Sequence, residues 1–572
     1  MKHADTSETK QIVPLSSWPI DHLGNVGHCL SETARRLPAA IAVVAPRVSR
    51  RSVLLPRSGR IEHDAVTFEQ LEATSNQIAN GIRELGVAPG TRLALMVPPG
   101  IDFVAHVFGL FKAGVVVVLI DPGMGKRNML RCLAAAAPGG IVGIARAHVA
   151  RLLFRRHFPE CKLNVVVGRK SWPGCHSADN FAQHSKEFPP LDICREDPAA
   201  VIFTTGSTGP PKGVLYRHRV FLEQAAQIQE YFAIQPGSTD VSGFPLFALF
   251  NTAMGTTTIF PKMDPTRPAD VHPPDIMDAV ERFNADQSFG SPALWNTVSL
   301  YCESHAARLP SIKRVLTAGA PVAPKVLQRI KQIIAPDGEA FTPYGATEAL
   351  PVACISATEV LRETAARTNL GAGTCVGKRF PKISWRVIRI ADDPISDISA
   401  AEELPVGEIG ELIVQGVVVT DQYVTRAEAN ALHKIRDGSS FWHRMGDVGY
   451  LDEQDRFWFC GRKGHRVQTT NGTMFTIPCE AIINTHPDVY RSALVGVGER
   501  GNETPVVIAE PWKGKWPRDE SRFVEELRQL AARHDKTSDI KHFLLQKSLP
   551  VDIRHNSKIF REQLREWAQK RI

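Results

Sequence analysis

The sequence predicts a layered α/β protein with a large N-terminal domain and a small C-terminal α/β domain. Three observations carry this expectation. The chain has 572 residues, more than one hydrophobic core supports, so at least two domains are needed. Short apolar runs suited to buried strands alternate with stretches of helical periodicity: RLALMV precedes DFVAHVFGLFKAG, AVIFTT precedes VFLEQAAQIQEYF, and IKRVLTAG precedes APKVLQRIKQII. This alternation builds parallel sheets covered by helices, with ligand-binding loops at the carboxyl ends of the strands. From about Asp392 the texture changes to β-prone pieces with Gly and Asp turn signals, GEIGELIVQG and GYLDEQDRFWFCG, which predict a small, mostly antiparallel β-rich subdomain.

A new α/β rhythm begins after Arg462, with EAIINTH, SALVGVG, PVVIAE and SRFVEELRQLAARH. The expected boundary therefore falls at Gly461-Arg462, giving domains 1–461 and 462–572. The greasiest stretch, Val107 to Ile120, is broken by Lys112 and Gly114 and reads as a helix end followed by a buried strand, not as a membrane span. The first residues, MKHADTSETKQIVPLSSWP, have no apolar core of signal-peptide length, and ten cysteines lie scattered without metal-ligand spacing. Both features lead us to expect a cytoplasmic protein with reduced thiols. Hydrophobic residues make up 43% and charged residues 22%, as in a globular enzyme. The net charge of +8 is read as a small excess spread along the chain, which suits an anionic substrate and gives no sign of nucleic-acid binding.

The strongest local signal is Thr204-Thr205-Gly206-Ser207-Thr208-Gly209-Pro210-Pro211-Lys212-Gly213, directly after the strand AAVIF. Hydroxyls, unhindered glycine amides and one lysine can wrap a polyphosphate closely. The spacing is not that of a Walker A loop. This loop resembles the phosphate loop of the adenylate-forming superfamily, which includes acyl-CoA synthetases, luciferases and peptide-synthetase adenylation domains. The resemblance covers nearly the whole chain and implies the adenylate-forming fold, with a mobile C-terminal domain and with ATP and Mg²⁺ as cofactors.

Further motifs are similar to those of the family. Tyr344-Gly345-Ala346-Thr347-Glu348, about 140 residues after the loop, matches an aromatic-Gly-x-Thr-Glu motif. The resemblance places the Tyr344 ring against adenine, Thr347 on phosphate and Glu348 on Mg²⁺, and the residue types suit those tasks. Gly319-Ala320-Pro321 resembles the segment whose backbone approaches the adenine edge. Asp447 stands where the family has a ribose-binding aspartate, and Arg462 where it has a nucleotide-contacting arginine. Lys558, in Arg554-His555-Asn556-Ser557-Lys558-Ile559, matches the lysine that arrives with the small domain to bridge carboxylate and α-phosphate during adenylation.

Two departures narrow the reading. Gly464 occupies the position where the family has Asp or Lys as a rotation hinge, and Pro245-Leu246-Phe247-Ala248 lacks the usual histidine. Phe244, Leu246, Phe247, Leu249 and Phe250 would line a pocket for long alkyl chains, each buried methylene contributing about 0.8 kcal/mol. The RHNSKI string, with TPYGATEALPVA, IDPGMG and SFGSPALW, resembles one branch of the family, the β-lactone synthetases of bacterial long-chain olefin biosynthesis. That resemblance implies a 2-alkyl-3-hydroxyalkanoic acid as substrate, with its own 3-hydroxyl displacing AMP, and an assembly with other olefin-forming enzymes. A long-chain acyl-CoA synthetase or acyl-AMP ligase shares the adenylation residues and stays open at this point. So does a catalytically inactive nucleotide- or acyl-binding subunit, although it would have no need to keep Glu348, Asp447, Arg462 and Lys558 together. His465 and His555 are candidates for deprotonating the 3-hydroxyl, but both also suit a solvated polar role.

Overall fold

The computed structural model describes residues 23–47, 61–204, 211–552 and 558–572. Two large sheets dominate. The first has seven strands in the order His176–Ser177, Leu163–Val167, Gly140–Ile144, Arg92–Met96, Val116–Leu119, Pro198–Phe203 and Gly213–Arg217. All neighbours are parallel except the last pair, which is antiparallel and flanks the phosphate-loop sequence. The predicted alternation is present: Arg92–Met96 leads to the helix Ile101–Lys112, and Val116–Leu119 is buried along its whole length. The parallel strands are covered on both faces, so they read as continuous apolar runs.

The second sheet has 14 strands. Its parallel half includes Thr239–Ser242, Gln287–Gly290, Arg314–Thr317 and Glu339–Ala346. Its antiparallel half carries the β-rich region expected after Asp392. Those strands are not a separate sheet. Thr374–Arg379 pairs with Ala349–Ser356 on one side and Arg456–Arg462 on the other, so backbone bonding runs unbroken from the parallel strands to the edge strand Ile383–Ile388. Strands with one buried face read alike in sequence whichever edge they join, and this continuity has no local signature.

Residues after Arg462 form a two-stranded ribbon and a three-stranded sheet, Val489–Val497, Thr504–Pro511 and His542–Leu545. The helices Thr476–Ile483 and Glu520–Ala532 cover one apolar cluster, and Arg561–Gln569 covers another. Polar ties run to the large sheet: Lys463 Nζ lies 3.0 Å from Glu411 Oε1, and Arg466 and Arg500 reach Asp392 at 2.6 and 3.0 Å. All ten cysteines are free thiols. Among the described residues no helix is long and apolar enough to cross a membrane.

Candidate active site

The strand Glu339–Ala346 turns back into Ala349–Ser356, and the turn presents Thr347 and Glu348. Gly345 sits at an irregularity in this pairing between Tyr344 and Ala346. A Cβ there would stand 2.7 Å from the Ala349 carbonyl oxygen, so the close approach of the two strands requires glycine. The Thr347 carbonyl accepts the Tyr216 hydroxyl at 2.6 Å, which ties the turn to the strand after the phosphate loop.

Glu348 is nearly buried and accepts the Tyr423 hydroxyl at 2.7 Å, while its backbone carbonyl accepts from the Thr420 N–H at 2.9 Å. Lys212 stands beside it. Its ammonium lies 4.6 Å from the Tyr423 ring centroid and 3.0 Å from His433 Nε2. Burial lowers the Lys212 pKa and the charge of Glu348 opposes that fall. The base of the phosphate loop is closed by two hydrogen bonds, Thr204 N–H to the Lys212 carbonyl at 3.0 Å and Lys212 N–H to Thr204 Oγ1 at 3.2 Å. Thr205, Gly206, Ser207, Thr208 and Gly209 lie outside the described residues.

Asp447, in the middle of the long strand Ser440–Leu451, is paired in register with Arg462 on Arg456–Arg462. Its Oδ1 is 3.0 Å from Arg462 Nη1, and its Oδ2 accepts the Tyr344 hydroxyl at 2.5 Å. Burial pushes the Asp447 carboxyl up and Arg462 pulls it back down, while Asp447 raises Arg462. The ion pair is thus mutually supporting. Gly319 adopts φ of +98°, in the turn that leads from Arg314–Thr317 to the helix Pro324–Ile333. Arg314–Thr317 is the parallel neighbour of the strand carrying Tyr344, so Gly319-Ala320-Pro321 leaves the sheet beside Tyr344 at the carboxyl ends of the strands.

The apolar candidates divide. Phe244 and Phe247 pack around Phe289, with Phe247 stacked on it at 4.2 Å between centroids, and Phe250 lies 5.9 Å from Phe247. Leu246 and Leu249 join the core beneath the seven-stranded sheet, with Leu249 buried. Lys558 stands where two hydrogen bonds join it to Asp552: the Asp552 N–H to its carbonyl at 3.0 Å and its own N–H to Asp552 Oδ1 at 3.2 Å. The adjoining helix is anchored by the Arg561–Glu480 ion pair. His465 faces Glu562 of that helix at 3.5 Å, a contact that draws it toward the C-terminal residues. His555 lies outside the described residues.

Sequence reading missed three residues here. Tyr423, His433 and Lys434 surround Lys212 and Glu348, with Lys434 donating to the Thr420 carbonyl. Burial draws the Lys434 ammonium down to about 7 and the His433 ring down to about 4, so His433 is neutral at physiological pH and its Nε2 can accept from Lys212. Tyr423 lies in an irregular connection, His433 ends the short helix Glu428–His433 and Lys434 opens the short strand Lys434–Asp437, pieces too short for a periodic pattern to mark them.

Lys212 with the buried Glu348 beside it, and the linked Tyr344, Asp447 and Arg462, are the residues that the resemblance assigns to a nucleotide. Residues 30–424 match the family described as AMP-binding enzyme. The chain belongs to that family. It is 44% identical over 552 residues to the olefin beta-lactone synthetase of Stenotrophomonas maltophilia, covering 95% of this chain and 98% of that protein. It is 42% identical over 558 residues to the olefin beta-lactone synthetase of Xanthomonas campestris pv. campestris, covering 96% and 98%. The feruloyl-CoA synthase of Amycolatopsis is 24% identical over 81% of this chain and 88% of that protein. Among solved structures, an anthranilate CoA ligase in complex with anthranoyl-AMP superposes with a TM-score of 0.76 at 16% identity, covering 98% of this chain and 99% of that one. The O-succinylbenzoate coenzyme A synthetase of Bacillus subtilis, in complex with ATP and magnesium ion, gives 0.72 at 19%, covering 94% and 99%. These likenesses establish the adenylate-forming fold, and adenylate-forming enzymes use ATP.

Proposed function

We propose that this AMP-binding enzyme activates a long-chain 2-alkyl-3-hydroxyalkanoic acid with ATP and closes it to a β-lactone. The observation that carries this reading is the identity of 44% and 42% over nearly the full length of two olefin beta-lactone synthetases. An acyl-CoA synthetase and an inactive binding subunit are not favoured: the feruloyl-CoA synthase stands far lower, and Glu348, Asp447, Arg462 and Lys558 are all present.

In the proposed first step the substrate carboxylate attacks the α-phosphorus of ATP and pyrophosphate leaves. Tyr344 would face the adenine, with its hydroxyl locked on Asp447, and Asp447 would accept the ribose hydroxyls. The Arg462 guanidinium opposes the rise that burial gives the Asp447 carboxyl and so favours its acceptor form. Lys212 would contact the phosphates. Glu348 suits Mg²⁺ because it offers a hard carboxylate oxygen with one side fixed by Tyr423. Glu348 would hold the ion together with the phosphates of ATP. The bound ion supplies charge neutralisation on the phosphates. Lys558 would be delivered to the α-phosphate by movement of a domain that begins at residue 462.

In the proposed second step the 3-hydroxyl oxygen attacks the activated carbonyl, AMP departs from it and the hydroxyl proton is released to solvent. The nucleophile is already attached to the substrate, so its high effective molarity offsets part of the ring strain. Cytoplasmic placement and assembly with other olefin-forming enzymes belong to the same proposal, on the resemblance alone. Product analysis tests it: ATP, Mg²⁺ and a racemic 2-alkyl-3-hydroxy acid should give AMP, pyrophosphate and β-lactone. A thioester formed only when coenzyme A is added, with no lactone, would replace this reading with acyl-CoA synthesis.

A further inference from the structure

The positive charge of this chain is not spread along it. Residues 122–178 hold ten lysines and arginines and one acidic residue, Glu160, a surplus of nine where the whole chain has a surplus of eight. This stretch builds the edge of the seven-stranded sheet formed by Gly140–Ile144, Leu163–Val167 and His176–Ser177. The helix Ala145–Leu153 lies there with Ala147 and His148 turned inward, His148 meeting the Val165 carbonyl at 3.0 Å.

The outer face of that helix is apolar and exposed. Val149, Leu152, Leu153 and Phe154 show 42%, 48%, 73% and 41% of their surface. They follow the helical spacing i, i+3, i+4, so three of them share one side. Exposed arginines flank them at Arg146, Arg155 and Arg156, and among the described residues none of the three forms an ion pair. Single exposed apolar side chains are ordinary, but contiguous ones ringed by one sign of charge mark a binding surface.

We propose that this face docks the enzyme on a bilayer surface bearing anionic headgroups. The protruding leucines and phenylalanine would enter the boundary between headgroups and acyl chains, and the arginines would meet the phosphate oxygens around them. The near absence of carboxylates matches a negative surface. Pro198–Phe203 and Gly213–Arg217, which flank the phosphate loop, lie at the opposite edge of the same sheet, so docking leaves the nucleotide site open. The inference stands on the patch and holds whichever acceptor the enzyme uses.

The test is co-sedimentation of the full chain with phosphatidylcholine vesicles made with and without phosphatidylglycerol. Binding is expected only with phosphatidylglycerol, and it should fall steeply with added salt. Leu152→Ser with Leu153→Ser and Phe154→Ser, and separately Arg155→Glu with Arg156→Glu, should each weaken partitioning by about ten-fold or more. Pyrophosphate release with a short, water-soluble acid should be unchanged in both. If the apolar variant failed to fold, the charge variant alone would decide. Absence of binding to anionic vesicles, or wild-type binding by the charge variant, would overturn the proposal. So would a self-associated or protein-bound form that depends on this face while vesicles are ignored.

Discussion

The Tyr344 hydroxyl donates to Asp447 Oδ2 at 2.5 Å, joining two residues 103 positions apart in the chain. The ring proposed for the base and the carboxylate proposed for the sugar are thus one unit, held from the far side by Arg462 at 3.0 Å. Tyr344→Phe keeps the ring and removes only this bond. Losing a hydrogen bond to a charged group costs about 1.5 to 3 kcal/mol. The KM for ATP should rise by about ten-fold or more with a smaller change in kcat. An unchanged KM would show that the bond does not organise the nucleotide site.

Glu348→Gln and Asp447→Ala should fail differently. The first removes a charge proposed to hold the metal at the transition state and should mainly lower kcat. The second removes a ribose acceptor and leaves Arg462 without its partner, so the KM for ATP should rise. Kinetic profiles that could not be told apart would mean one role is misplaced.

Lys558→Ala should abolish adenylation while ATP still binds, because the lysine acts on charge that develops only in the transition state. Pyrophosphate release and nucleotide affinity measured on the same preparation separate the two effects. Wild-type release would remove Lys558 from the mechanism.

Acid sensitivity has an identifiable source in His218. Its Nδ1 accepts the Val26 N–H at 3.2 Å, and burial draws its pKa down to about 4. The unfolded chain takes up that proton near the ordinary 6.5. Between about 6.5 and about 4 the unfolded state therefore binds more protons than the folded state, and this contribution to stability is lost as pH falls. Asp240, raised to about 7 by burial, works in the opposite direction, so the informative quantity is a difference between proteins. His218→Gln keeps an acceptor that does not titrate. Its unfolding midpoint should fall less than that of the wild type between about pH 7 and about pH 5. Equal slopes would contradict the assignment.

The residues proposed to meet the nucleotide were legible as short motifs on strands or just beyond them. Tyr344 and Gly345 lie at the end of the strand Glu339–Ala346 and Thr347 and Glu348 follow it, Gly319 follows its parallel neighbour, and Asp447 and Arg462 face each other across a third and fourth strand. Tyr423, His433 and Lys434 were not legible, because they reach Glu348 and Lys212 from an irregular stretch, the end of a six-residue helix and the start of a four-residue strand, all too short to show an apolar period. The five apolar residues between Phe244 and Phe250 looked alike in sequence, yet Leu249 joins one core cluster while Phe247 is buried in another and stacks on Phe289, a partner about forty residues away. The basic stretch escaped notice because its lysines and arginines are interleaved with apolar residues and never stand more than two together.

The central claim is that the nucleophile of the second step is carried by the substrate, and turnover without coenzyme A tests it most directly. With excess ATP, Mg²⁺ and a 2-alkyl-3-hydroxy acid in thiol-free buffer, we expect many turnovers, each releasing AMP, pyrophosphate and a β-lactone. The same acid lacking its 3-hydroxyl should be adenylated at most about once per enzyme and then block the site. A single turnover with the hydroxy acid, followed by rapid thioester formation from either acid once coenzyme A is added, would contradict the account.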